Sequence, residues 1–179
     1  MTKRCGICLA MLLLATAAYA GARIDGKITA IDAEKGTLEI SGVTVITKDA
    51  KLWDLIFPSR LSRLRVGWGV EATGTFTGPR EFTATQLVAK YFRHYEIQAK
   101  VDAVDARART LSISGITVKI PADCTFEDEN GDETTLEKLP VGRKMEVEGD
   151  WTGPAEFTCY SIEVWKEKKE ECPAGDRKS

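Results

Sequence analysis

The residues with the most obvious chemistry are the acids of Glu127–Glu137, EDENGDETTLE, which crowd hard oxygen donors of the kind calcium takes into one short stretch. If Gly131 filled the glycine position of an EF-hand loop, Asp128, Asn130 and Glu137 would fall on ligand positions. Phe126 would then occupy the first position, which must be acidic, and the motif breaks there. Asn130-Gly131 is a turn signal in its own right, so the expectation is a solvated acidic loop. His94, the single histidine, has no second imidazole to share a metal. A triad would also need a nucleophile and an orienting acid, so His94 reads as a surface residue between two halves of the chain. No pair of carboxylates stands at a spacing assignable to glycoside hydrolysis. Phosphate-cradling glycine loops, nucleophile elbows and metal-binding helices are likewise missing from the sequence. The expectation is a non-enzymatic chain with no cofactor and no metal site.

A different surface has the composition of a binding site. Leu52, Trp53, Leu55, Ile56 and Phe57 form an apolar run, followed by Arg60, Arg63, Arg65 and Trp68. Either this run closes a barrel or packs on the other half, or it is an exposed apolar patch with a basic rim that marks a partner or ligand surface. Arg and Trp are favoured at binding hot spots. The candidate interaction residues are therefore Trp53, Phe57, Arg60, Arg63 and Trp68.

The elements that would hold these residues are written twice. Arg23–Ile46 and Glu96–Lys119 align without a gap and agree at half their positions, and TGPREFT (Thr77–Thr83) recurs as TGPAEFT (Thr152–Thr158). Such self-similarity marks an internal duplication. In each copy of about 70 residues, alternation over Ile24–Ala30 predicts a half-buried strand, Thr37–Ile40 and Val43–Ile46 two more, and Ser41-Gly42 the tight hairpin between them. Copy two repeats this with Ser114-Gly115. The period then changes. Thr134–Glu137 has the form of a capping box, and Leu136, Leu139 and Val141, like Leu61, Leu64 and Val66, predict a short helix laid on the sheet. Gly69–Phe76 and Phe82–Tyr91, with Lys144–Trp151 and Phe157–Trp165, complete five strands per copy. The predicted fold is all-β: two tandem five-stranded OB-like barrels, each with a short helix between strands three and four. Trp151 and Trp165 read as packing residues.

The flanks and charge bound location and partners. Residues 1–20 have the form of a signal peptide: Lys3 and Arg4, an uncharged apolar stretch, then Ala18-Tyr19-Ala20 as cleavage site. Residues 21–93 are expected to form copy one, 94–165 copy two, and 166–179 a charged tail. Without the leader 23 bases face 27 acids, a net charge of −4. That is a poor footprint for nucleic acid. Copy one (23–95) is net +3 and copy two (96–165) net −8, opposite signs that favour docking of the copies or of neighbouring chains. Beyond the leader stand Cys124, Cys159 and Cys172. In an oxidising compartment a disulfide is expected. Copy one has Ala50 and Ala84 where copy two has Cys124 and Cys159, and the pairings Cys124–Cys159 and Cys159–Cys172 are both open.

The pattern Lys27-x-x-Ala30-Ile31-Asp32, Thr37-Leu38-x-Ile40-x-Gly42, Leu64-x-Val66-Gly67-x-x-Val70-Glu71-x-x-Gly74 and Phe82-x-Ala84-x-x-Leu87 resembles the bacterial family known as domain of unknown function 5666. Copy two fits with Lys100, Asp105, Leu111, Gly115, Val141, Gly142, Glu146, Val147, Gly149 and Ile162, and departs with Cys159 for the alanine. The resemblance implies an exported small β-barrel, in tandem, and offers no catalytic residues. The function expected is an exported binding or interaction module of the cell envelope, periplasmic or secreted, whose partner is a protein or small ligand. The alternative is a structural spacer or accessory subunit of an envelope assembly.

Overall fold

The computed structural model describes residues 21–54, 57–91 and 93–166; the leader, Cys172 and the charged tail beyond Lys166 lie outside them. Copy one begins with β1 (Ala22–Asp32), β2 (Thr37–Ile40) and β3 (Val43–Ile46) and ends with β6 (Gly69–Gly78) and β7 (Glu81–Ala89). β1 pairs with β2, β2 with β3, β3 in parallel with β7, β7 with β6, and β6 with β1. The circuit closes a five-stranded barrel in the expected order. Copy two closes the same circuit with β8 (Tyr95–Lys100), β9 (Ala103–Asp105), β10 (Thr110–Ile113), β11 (Ile116–Lys119), β13 (Lys144–Gly153) and β14 (Glu156–Val164). Here β8 and β9 together stand for β1. Alternate residues of these strands fill the interior, with Phe82 and Phe157 at equivalent buried places. Among the described residues no helix is long and apolar enough to cross a membrane.

Both Ser-Gly hairpins form as expected: Ser41 and Gly42, like Ser114 and Gly115, have positive φ, and Ile40 pairs with Val43, Ile113 with Ile116. Two positive φ values in a two-residue loop match the right-handed twist of the flanking strands.

The expected short helices are corrected. Each is a single 3-10 turn, Leu61–Arg63 and Leu136–Lys138, and no side chain caps either one. Thr135 is the N-terminal boundary residue but its hydroxyl makes no capping bond, so the expected capping box is not built. The chain re-extends at Leu64 and Leu139, which breaks the helical period. The leucines Leu64, Leu136 and Leu139 reach the core, while Val66 and Val141 are left exposed.

Two further elements were not expected as strands. β4 (Lys51–Asp54) and β12 (Thr125–Glu127) run parallel to the last halves of β7 and β14, with Leu52 opposite Leu87 and Phe126 opposite Ile162. Copy one adds β5 (Phe57–Pro58), which pairs back on β4.

The barrels are fused. β2 reaches β1 only from Ile28 onward, so the first half of β1 keeps an unpaired edge, the kind of edge that invites another strand. β8 fills it: Arg23 lies opposite Gln98 and Ile24 opposite Ile97, making one sheet continuous through both barrels. Ile24 and Ile97 are the same position of the repeat, so the junction has an approximate two-fold axis. Two reciprocal clasps obey it. The Ala155 amide donates to the Ser41 carbonyl, and the Arg80 amide to that of Ser114, each at 2.6 Å. Each copy's hairpin tip thus sits on the other's Thr-Gly-Pro turn.

Candidate binding surface

β4, β5 and the chain into β6 place the aromatic and basic residues of copy one at one end of its barrel. Trp53 is half-buried in β4, between Val88 and Pro58. Phe57 is 68% exposed, and Arg60 and Arg63 lie on the surface around the 3-10 turn. Trp68 is 38% exposed. Its position is fixed by main-chain bonds: the Ile28 amide donates to the Trp68 carbonyl at 2.9 Å, and the Gly67 amide to that of Ile28 at 2.8 Å. Gly67, at φ +88°, makes the bend that brings Trp68 back to the barrel rim. The apolar run therefore divides. Leu52 helps to close its own barrel, and Phe57 and Trp68 face outward.

A cleft of about 210 Å³ opens beside Trp68, lined also by Lys27, Asp54, Lys90, Tyr91 and Tyr95. Of the five residues expected from the sequence, only Trp68 lines it; Trp53, Phe57, Arg60 and Arg63 flank that end of the barrel. Tyr91 is 96% exposed. Tyr91 lies just after β7 and Tyr95 opens β8, and the aromatic density of the sequence from 91 to 95 was the available signal. Lys27 in β1 and Lys90 just after β7 carried none. Copy two has no such surface. Arg143, Trp165 and Lys166 stand at the positions of Trp68, Lys90 and Tyr91. The Lys144 ammonium lies 4.4 Å from the Trp165 ring, a cation–π contact that occupies that ring.

Lys90 connects the cleft to a polar row crossing the junction. It pairs with Glu71, Arg23 lies 3.9 Å from Glu71 and pairs with Glu96, and the Gln98 amide donates to Glu96 at 2.5 Å and to Glu146 at 2.7 Å. Asp25 occupies copy one's position for Gln98 and is 3% exposed. Its Oδ1 accepts no hydrogen bond among the described residues, and the nearest cation, Arg23 Nε, is 3.9 Å away. Burial pushes the Asp25 carboxyl up to about 7, against the smaller opposing pull of Arg23 and Lys90. The Trp151 indole, half-buried as a packing residue, donates across the junction to the Asp25 carbonyl at 2.8 Å.

The acidic loop of copy two is organised by its own backbone. Asp128 Oδ1 accepts the amides of Asn130 and Asp132, at 2.8 and 3.1 Å, which holds its carboxyl below the usual range. Glu129 pairs with Arg143 at 2.9 Å. Among the described residues no three His, Cys, Asp or Glu side chains are grouped to hold a metal ion. His94 is exposed in the linker, its ring edge-to-face with Tyr160. Cys124 and Cys159 are both buried, their sulfurs 2.7 Å apart.

The architecture defines a class: tandem five-stranded barrels fused through one sheet. The chain belongs to the family described as domain of unknown function DUF5666, which matches residues 25–87 and again 98–163. Neither a curated protein nor a solved structure matches the chain.

Proposed function

We propose that this chain is an exported, non-enzymatic binding module of the bacterial cell envelope that needs no cofactor and grips a partner protein through the end of copy one. The observation that carries the proposal is the asymmetry of the copies. The same scaffold presents Phe57, Trp68 and Tyr91 to solvent at one end of copy one, whereas copy two has Arg143 and Lys166 at the positions of Trp68 and Tyr91 and, among the described residues, exposes Tyr160 as its one large aromatic. Large exposed aromatics beside Arg60, Arg63 and Arg65 have the composition of an interface hot spot. The size of the cleft favours a protein partner over a small ligand. The 210 Å³ cleft is smaller than the roughly 300–1,000 Å³ that encloses a small-molecule ligand. It suits one ring or one side chain of a partner, with the basic rim favouring an acidic segment around that anchor.

A photo-crosslinking amino acid at Tyr91, with the same probe at Lys166 as control, tests this in the envelope of the producing cell. A discrete protein adduct from position 91, absent from 166 and lost in Arg60→Glu/Arg63→Glu, is the expected result. No adduct from either position favours the second reading, a rigid structural spacer, which the sheet continuous through both barrels supports.

A further inference from the structure

We infer that Cys124 and Cys159 form a disulfide that ties the edge strand of copy two to its last strand. Cys124 immediately precedes β12, which runs parallel to the end of β14, with Thr125 opposite Ser161. Cys159 lies within β14, opposite Gly149. Gly149 permits the close approach of β13 to β14 at that point, since a Cβ there would lie 2.1 Å from the Thr158 carbonyl oxygen, and Gly74 does the same for β6 and β7 in copy one. The two sulfurs are 2.7 Å apart, within about 0.7 Å of a bonded pair. Copy one makes the same turn, the Ala50 amide donating to Thr47 as that of Cys124 does to Pro121, with Ala50 and Ala84 at the two positions. The fold therefore does not require the sulfurs. The far sides of the two edge strands differ: β4 is backed by β5, whereas β12 is followed by the acidic loop, which returns through the Glu127–Glu133 bridge and the Thr134 amide donating to the Phe126 carbonyl at 3.0 Å.

The chemistry is a thiol–disulfide exchange with a small or protein disulfide as oxidant. Cys124 is the sulfur that meets it first, being 7% exposed against 0% for Cys159. The Cys159 thiol as hydrogen-bond donor also favours the Cys124 thiolate, and Arg109 acts in the same sense. The Cys124 thiolate attacks the external disulfide and expels one thiolate. Cys159, losing its proton, then attacks the mixed disulfide at Cys124 and expels the second. Two electrons and two protons leave the protein, and the oxidant departs as two thiols.

The test uses the chain from Gly21 through Ser179, incubated with oxidised glutathione, then denatured, alkylated and mapped by mass spectrometry. It reads the geometry alone and is independent of where the protein resides. The expected result is a Cys124–Cys159 linked peptide with alkylation at Cys172 only. Dithiothreitol should then lower the Tm by roughly 10 °C, as loss of a cross-link closing a loop of this length implies. Cys124→Ala/Cys159→Ala, which installs copy one's residues, should melt with the reduced protein and show no response to reductant. A Cys159–Cys172 peptide, three alkylated cysteines after oxidation, or an unchanged reductant response in the double variant would each overturn the assignment.

Discussion

The two copies repeat their main-chain contacts where they touch and diverge in their elements where they face away. At the junction, equivalent residues meet across an approximate two-fold axis: Ile24 opposite Ile97, and each Ser-Gly hairpin on the other copy's Thr-Gly-Pro turn. Between the third strand and the 3-10 turn the copies diverge. Copy one runs β4 into β5 and ends in exposed Phe57, while copy two folds its acids back onto loop amides through Asp128. The junction repeats its main-chain contacts while side chains there differ, as Asp25 against Gln98 and Phe76 against Trp151 show, and the far ends differ in their elements as well.

The clasps offer the strongest way to break the shared half of this comparison. A Cβ on Gly42 would lie 2.8 Å from the Ala155 amide nitrogen at φ +87°, so Gly42→Val should destabilise by more than about 3 kcal/mol in urea unfolding. At Gly115 a Cβ meets the Pro79 and Arg80 side chains first, at 3.2 and 3.3 Å, and the Arg80 amide nitrogen at an ordinary 3.4 Å, so Gly115→Val should cost about 1–2 kcal/mol, mainly for its φ of +82°. Equal losses at the two sites would deny that the backbone contact at Gly42 matters.

Asp25 against Gln98 is the sharpest contrast within the junction. Because burial raises the folded-state pKa of Asp25 to about 7 from 3.8, the folded chain holds a proton there that the unfolded chain has released. Its contribution to stability is present at pH 3.8 and below and is lost as pH rises through 7. Asp25→Asn should therefore raise stability at pH 8 by a few kcal/mol and flatten its decline between pH 4 and 7, measured by unfolding at stepped pH. A variant less stable than the parent at pH 8 would mean that the charge is satisfied.

Smaller effects test the asymmetric contacts. Trp151→Phe gives copy two the residue that copy one has at Phe76 and removes the donor to the Asp25 carbonyl, a loss of about 1–2 kcal/mol in the same assay. At the divergent end, Phe57→Ser should change stability by less than about 0.5 kcal/mol while weakening crosslinking from Tyr91. A large loss of stability would make Phe57 a packing residue instead.

The barrel was legible in the sequence because its information is local. Period-two alternation announces strands such as Ile24–Ala30, and Ser41-Gly42 fixes a hairpin whose positive φ values few other residues accept. The leucines at Leu64, Leu136 and Leu139 also reported burial truthfully, but a three-residue 3-10 turn and the extended residue after it bury leucines as well as a helix would, so the pattern could not give the length. The junction was silent. The free edge of β1 shows in no residue type, and Asp25 looks like any polar position of an alternating strand until β8 and Trp151 cover it. The cleft was half legible for the same reason. Trp68 stands out as an aromatic among arginines and the tyrosines by their density, whereas Lys27 and Lys90 join them only after β1 and the end of β7 converge.

Differential scanning calorimetry of the chain from Gly21 tests most directly whether the two barrels are one unit. A single endotherm whose van't Hoff and calorimetric enthalpies agree is expected, because the sheet and both clasps must open together. Two resolved transitions, with Gly42→Val shifting only one of them, would contradict the fused structure.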